Sequence, residues 1–514
     1  MFWCPMCFCE RRAIFEAAME KGENTTLKIS SQETLDYDDW GEVREVGHQM
    51  IDDAIRFLQD LRKHPIWTPM SEKDKELFQG SYPSEGIGPK AVYDQFKEHI
   101  WPFIMGNPHP RFWAWYMGSS TMMGALADFL TSVTNSNAGA GNHVGQFIED
   151  QVIRWMSEIV GYSNDASGLI VSGGSMANFV GLAVARQAKS GYDIRKEGLR
   201  HAQHQMTVYA STEVHSCNQK SIELLGIGSA YFRKIPVDQD YKIDVDALKN
   251  KIQDDRDKGF LPICVIGSAG TVNTGSIDDL NALADICEAE NLWYHVDGAI
   301  GGIAMISDRV KKQMPRIERS DSIAMDLHKW LHIPFEAGCV LVNHRKVHRE
   351  TFHLTPEYLE QNVRGLASGT GWYSEYGLQL SRRLKALKVW MSIQEHGMDK
   401  LARMITRNVE QAEYLGALIE KQDHLHLMAP IGLDIVCFRY DPSIKELDLN
   451  ALNKEILVLL HEEGIAIPSY TTLNGQYCIR VAIANHRTTF EDFDYFVKEV
   501  IALGQKLQDQ YMTV

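Results

Sequence analysis

The sequence predicts an α/β protein organised around a mainly parallel sheet, and three observations carry that expectation. Between about residues 124 and 342, short apolar runs alternate with helical stretches: GLIVSGG, MTVYAS, PICVIGSAG, LWYHVDGA, SIAMDLH and GCVLVN. Runs rich in Val and Ile separated by helices are the pattern of βαβ units. Glycine and polar residues gather at the ends of those runs, where open α/β sheets bind their ligands. On either side the pattern changes, which divides the chain into an arm (1–118), a large α/β domain (119–388) and a small α+β domain (389–514).

The arm is expected to be helical. From Trp40 to Arg62 the apolar residues Val43, Val46, Met50, Ile51, Ala54, Ile55, Leu58 and Leu61 recur at three- and four-residue steps, an amphipathic stripe that must pack on something. The Pro- and Gly-rich stretches HPIWTPM and SYPSEGIGP separate it from the central domain, so a second subunit is a reasonable partner. In the small domain LDIVCFRY and YCIRVAI read as strands. TTFEDFDYFVKEVIALGQKL reads as a closing helix with Thr488 as N-cap and Asp492 in its first turn.

Composition bounds the rest. The 514 residues are 44% hydrophobic and 23% charged with a formal net charge of -16, a balance unsuited to neutralising a phosphate backbone. No apolar window reaches roughly 18 residues, and the start MFWCPMCFCERR lacks the order of a secretory signal. The chain reads as a soluble, cytoplasmic protein. Three of the nine cysteines, Cys4, Cys7 and Cys9, crowd at the start without a second cluster to complete a metal site. The others sit mostly in apolar runs, where Cys behaves as a small hydrophobe; no metal and no disulfide are implied.

Three constellations carry chemistry. In VSGGSMAN a strand runs through Gly173 and Gly174 to Ser175 and a helix, which is either an anion seat at a helix N-terminus or a turn kept small for steric reasons. In YHVDGAIGG, Asp297 ends an apolar strand. A buried carboxylate needs a partner, which a pyridinium N–H or an ordinary capping contact could supply. In SIAMDLHKWLHIPFEAGCVLV, Asp326, His328 and Lys329 fall in a polar break between apolar segments. A lysine held there is either a satisfied structural charge or an amine placed to form an imine.

The ordered set SGGSMAN, EVHSCNQKS, GTVNTGSID, HVDGAIGG and DLHKW resembles the group II pyridoxal-phosphate (PLP) decarboxylases, the family of aromatic-L-amino-acid, histidine and glutamate decarboxylases. The likeness runs from about Asn107 to Val514. It implies fold type I of the PLP enzymes, PLP as cofactor, and a homodimer with shared active sites. By motif, it implies Lys329 as the Schiff-base lysine, Asp297 on the pyridine nitrogen and His215 stacked on the ring. Gly174 and Ser175 are implied at the phosphate, Thr271 and Ala299 beside the ring, and His328 near the cofactor. Relatives often carry Asn where this chain has Asp326. A carboxylate beside a phosphate is unfavourable, so Asp326 is expected to point elsewhere.

The resemblance also bears on outcome. The Gly- and Ser-rich stretch LEQNVRGLASGTGWYSEYGLQLSRR matches a loop whose tyrosine protonates the product in the neighbouring subunit. Tyr373 falls on that position when aligned back from Arg382 and Arg383, with Tyr376 a second candidate. Related aldehyde synthases typically carry Phe there. HPRFWAWYMGSS matches the segment lining the side-chain pocket, where Trp115 and Tyr116 offer flat apolar walls. NSNAGAGNH is small and polar where aromatic-specific relatives are bulky, leaving Asn142 and His143 to line a wider pocket. The expected activity is decarboxylation of an aromatic L-amino acid to its amine. Its rivals are an aldehyde synthase, a decarboxylase of acidic or sulfinic amino acids, and a catalytically silent binding protein.

Overall fold

The computed structural model describes residues 34–354, 362–369 and 371–513; Cys4, Cys7 and Cys9 lie outside them. In chain order a short strand β1 (Phe112–Trp113) precedes seven strands: β2 (Ser167–Val171), β3 (Met206–Ser211), β4 (Phe232–Ile235), β5 (Leu261–Ser268), β6 (Trp293–Asp297), β7 (Ser322–Asp326) and β8 (Gly338–Val342). Four more follow: β9 (Leu425–Leu427), β10 (Ile435–Tyr440), β11 (Ile467–Leu473) and β12 (Gln476–Ala482).

The seven central strands form one sheet in the order β2-β8-β7-β6-β5-β3-β4. Every residue of β2, β3, β6, β7 and β8 is buried, because helices cover both faces. That is why these strands read as unbroken apolar runs and not as alternating ones. All pairings are parallel except those of β8, which runs antiparallel to both β2 and β7. The reason is local: only residues 327–337 join β7 to β8, too few for a helical crossover back to the same end of the sheet. Lys329 therefore sits in a tight return at the carboxyl end of β7.

The other sheet, β1-β11-β12-β10-β9, belongs to the C-terminal region. Its first strand comes from the stretch expected to be an arm: Phe112 and Trp113 pair in parallel with Ile467 and Pro468, and the Trp113 indole stacks on Phe493 at 5.0 Å. The closing helix runs Phe490–Thr513. Thr488 does not cap it. Its hydroxyl donates to the Pro110 carbonyl at 2.6 Å and accepts from the Trp113 indole, while Asp492 accepts from the Thr489 N–H at 2.8 Å. That hydroxyl joins the Asn485 amide, which donates to the His109 carbonyl at 2.9 Å, in holding the chain that leads into the two-residue strand.

The arm helix Trp40–Gln59 starts at Asp39, whose carboxylate accepts from the Gly41 N–H at 2.8 Å. Of its residues only Val46 is buried, and Met50, Ile51 and Ile55 face outward. The arm returns to the body through Arg62, which donates twice to Asp492, at 2.7 and 2.9 Å. No helix among the described residues is long and apolar enough to cross a membrane.

Candidate active site

The carboxyl ends of β2, β5, β6 and β7 open into one cavity of about 540 Å³, a size suited to a cofactor and a small substrate. The helix Gly174–Lys189 points its N-terminus into it, and Gly174 and Ser175 line the wall. Gly174 is required there: a Cβ would lie 2.7 Å from an Asp326 oxygen and 3.2 Å from the Ala299 Cβ. Gly118 serves the lysine return in the same way, since a Cβ on it would meet the carbonyls of His328 and Lys329 at 2.3 and 2.4 Å.

Asp297 ends β6 and is 7% exposed. Its Oδ2 accepts from the Asn218 amide at 2.7 Å and its Oδ1 from the Ala299 N–H at 3.3 Å. Both donors are neutral, so the carboxylate keeps its charge available to a cation from the cavity. Behind it His295, buried on β6, is held between Asn178 and Ser322, at 2.8 Å each. Burial lowers the His295 pKa to about 4, so the imidazole is neutral. Asn218 was not anticipated from sequence. Its signal was an amide one helical turn into EVHSCNQKS, at a position that the fold buries completely.

The expectation for Asp326 is overturned. Its carboxylate turns into the cradle: Oδ1 accepts from the Gly174 N–H at 2.5 Å, and Oδ2 lies 2.8 Å from Lys329 Nζ. His328 Nε2 is 3.5 Å from Oδ1. Burial pushes the Asp326 carboxyl up, but Lys329, His328 and the Gly174 N–H outweigh it and hold it below the ordinary carboxylate value. The physical reason is that the Gly174 N–H at the helix N-terminus and Lys329 Nζ both attract an anion, and a carboxylate of the protein itself answers them. His328 is further fixed by accepting from the Ala337 N–H at 3.1 Å and by Phe335 at 4.4 Å between ring centroids.

His215 caps the helix Ser216–Leu224 through Nδ1, which accepts from the Cys217 N–H at 3.3 Å, and burial lowers its pKa. Thr271 is tied into a tight turn by the Ser276 N–H and the Thr274 hydroxyl, at 3.1 Å each. Ala299 and Thr271 both line the cavity. Trp115 lines it with its indole 56% exposed, and Tyr470 joins it at 59%. Tyr116 is on the wall too, but its hydroxyl is committed to Asp434 at 2.8 Å.

Arg480, also missed from sequence, reaches the cavity from β12 and is 3% exposed. Nη1 donates to the Trp115 carbonyl at 2.7 Å and Nε to the Asn273 carbonyl at 3.1 Å, while buried Nη2 has no acceptor among the described residues. An arginine inside the apolar run YCIRVAI was the visible sign, because a buried cation needs an anion or a ligand.

The structure does not bring Tyr373, Asn142 and His143 to this cavity within one chain. Tyr373 is buried beneath Arg382, 5.5 Å from ring centroid to guanidinium carbon. It lines a different cavity of about 580 Å³ together with Asn142, Tyr376, Arg345 and Arg349. Asn142 donates to Ser368 at 3.2 Å. His143 caps the helix Val144–Val160 and reaches the Asn137 carbonyl at 2.9 Å, so its ring is spent on local structure. Tyr373 was expected at the neighbouring subunit's site, whereas Asn142 and His143, expected to line the substrate pocket, are absent from the wall of the Lys329 cavity in one chain.

A lysine, a strand-end carboxylate and a helix N-terminus around one cavity define an enzyme of the PLP fold type I class. A family model described as the pyridoxal-dependent decarboxylase conserved domain matches residues 71–441. An aromatic-L-amino-acid decarboxylase of Bacillus atrophaeus is 35% identical over 92% of this chain and 98% of its own length. A phenylacetaldehyde synthase of Petunia hybrida is 24% identical over 88% of this chain and 92% of its own. Among solved structures, Oryza sativa TDC with PLP and tryptamine superposes with a TM-score of 0.85 at 22% identity, covering 92% of this chain and all of that one. The chain belongs to the group II pyridoxal-dependent amino-acid decarboxylases, and its cofactor is pyridoxal 5'-phosphate. The donor set suits that group: an amine, a carboxylate with neutral partners, and a glycine cradle with a serine hydroxyl. Asp326 is its one discordant member.

Proposed function

We propose that this enzyme decarboxylates an aromatic L-amino acid, such as tryptophan or tyrosine, to its amine. The observation that carries the reading is the pair of exposed aromatic walls, Trp115 and Tyr470, on the cavity that holds Lys329 and Asp297; flat apolar faces bind aromatic side chains. The likeness to an aromatic-L-amino-acid decarboxylase supports it.

Lys329 would anchor the cofactor, Asp297 would pair with its ring nitrogen, His215 would cover its ring, and Gly174 and Ser175 would seat its phosphate. Thr271 and Ala299 would border the ring, and His328 would orient the cradle. When bound, PLP supplies an electron sink in conjugation with the substrate's α-carbon. Arg480 Nη2 offers its free N–H to a substrate carboxylate. Tyr373 donates the proton that replaces carbon dioxide on the α-carbon. Burial pushes its phenol far up, so it carries that proton at neutral pH.

Tyr373 and Asn142 serve the partner's site in a homodimer. The apolar residues Phe129, Val133, Val144 and Phe147 are each more than half exposed, as an interface between two copies requires. Light scattering should give twice the 58.3 kDa chain mass. A second reading rests on Arg480, whose free N–H also suits an acidic or sulfinic side chain.

Purified enzyme with a panel of tryptophan, tyrosine, phenylalanine, glutamate and cysteine sulfinate separates the readings. We expect amine from the aromatic substrates, with kcat/KM about 100-fold above glutamate. Preference for the acidic substrates, or aldehyde with stoichiometric peroxide, overturns the proposal. Tyr373→Phe should shift the product from amine towards aldehyde, and an unchanged product would remove Tyr373 from the reaction.

A further inference from the structure

Asp326 sets a second buried carboxylate beside Asp297 on the wall of the cavity. It is 3% exposed, and its two oxygens bridge the Gly174 N–H at 2.5 Å and Lys329 Nζ at 2.8 Å. These are the two points where a bound PLP would be gripped, at its phosphate and at its carbonyl carbon. The N-terminus of a sixteen-residue helix attracts one anion strongly. Here a side-chain carboxylate already occupies the first free N–H of that helix.

We propose that Asp326 is a positioning residue that competes with the cofactor's phosphate for the helix N-terminus and with its carbonyl for Lys329, so that the enzyme holds PLP loosely and exchanges it. The inference rests on the placement of the phosphate at Gly174 and Ser175 given above. Two like charges at one helix end repel in a site of low dielectric. An amide at position 326 reverses that term, because its N–H donates to the phosphate oxygens. It also releases Lys329 from an ion pair that must break before the amine can attack the carbonyl.

The test uses the purified holoenzyme and three variants: Asp326→Asn, Asp326→Ala and Ser175→Ala. Each is dialysed against a series of PLP concentrations, and retention is read from the visible absorbance of bound cofactor, with melting temperature measured alongside. The rate at which absorbance returns on adding PLP to resolved enzyme is the second readout. Asp326→Asn should tighten PLP binding roughly tenfold or more, the scale of one hydrogen bond to a charged group, and should speed recovery. Asp326→Ala should move both in the same direction by less, and carries the expectation if the amide variant does not fold. A purely structural role predicts the opposite, looser cofactor in both variants, and that result, or no change, overturns the proposal. Ser175→Ala should loosen the cofactor. If it does not, the phosphate placement is wrong; if it does while the Asp326 variants fail to tighten, the competition alone is wrong.

Discussion

Asp297 and Asp326 end neighbouring parallel strands, β6 and β7, in the same sheet and are almost equally buried, at 7% and 3% exposure. Their partners differ completely. Asp297 receives one amide N–H and one backbone N–H, neutral donors that orient a carboxylate without cancelling its charge. Asp326 receives a helix N-terminus N–H and lies against Lys329 Nζ, partners that already engage both of its oxygens. Equal residue types at equal topological positions are thus one open and one closed electrostatic site. Partner chemistry, and not burial, decides which acid can face a ligand cation.

The sharpest way to break this contrast is to neutralise the open site. Asp297→Asn should lower kcat by about 10²–10³-fold, the cost of removing one preorganised electrostatic partner, with the fold retained by circular dichroism. A loss under tenfold would mean that Asp297 is a structural cap. Next in size, Asn218→Val removes the buried donor to Asp297. It should weaken PLP retention by roughly tenfold with little change in melting temperature beyond about 1–3 kcal/mol of stability. Asn218→Asp, which sets a second carboxylate against the first, should be worse than valine. If valine and aspartate behave alike, Asn218 fills space and does not orient Asp297.

Acid titration sharpens the contrast at the level of the whole core. Burial holds His109, His295 and His486 near 4 and His348 near 3, while the unfolded chain titrates them near 6.5. As pH falls below about 6.5, the unfolded state binds protons that the folded state refuses, so their contribution is lost towards pH 4. Asp434 and Asp278 run the other way, pushed up to about 7 and about 6 by burial; they favour the folded state as pH falls through that window. Four histidines outweigh two carboxyls. Unfolding midpoints in urea should therefore fall between pH 6.5 and 4.5, and a flat profile would show that the histidines gain solvent before unfolding.

The smallest effect is a control remote from both acids. Arg62→Ala removes the bidentate contact that ties the arm to Asp492, with the Arg62 side chain half exposed. It should cost about 1 kcal/mol in denaturant unfolding and leave cofactor retention unchanged.

Much of the site was legible along the chain because Gly174, Asp297 and Lys329, which line one cavity, each follow or end an apolar run, where local pattern and position in the fold coincide. SGGS, HVDGA and DLHKW declare a cradle, an acid and a lysine without knowledge of the neighbours. Asn218 and Arg480 were not legible in that way. Each lies inside an element, and only packing against Asp297 in one case, and beside Trp115 and Asn273 in the other, makes it a member of the cavity. Thr488 failed as a cap for a related reason: the carbonyl it serves belongs to Pro110, far away in sequence.

By itself the sequence determined the fold class, the family, the cofactor and the order of the chemical groups, because these follow from periodicity and from motifs read over a few residues. Only the tertiary structure decided which way β8 runs, where the Asp326 carboxylate points, and that Tyr373 and Asn142 share a cavity apart from Lys329. Those outcomes depend on distances between segments far apart in sequence. A carboxylate settles where the sum of its long-range partners is most favourable, and no local pattern records that sum.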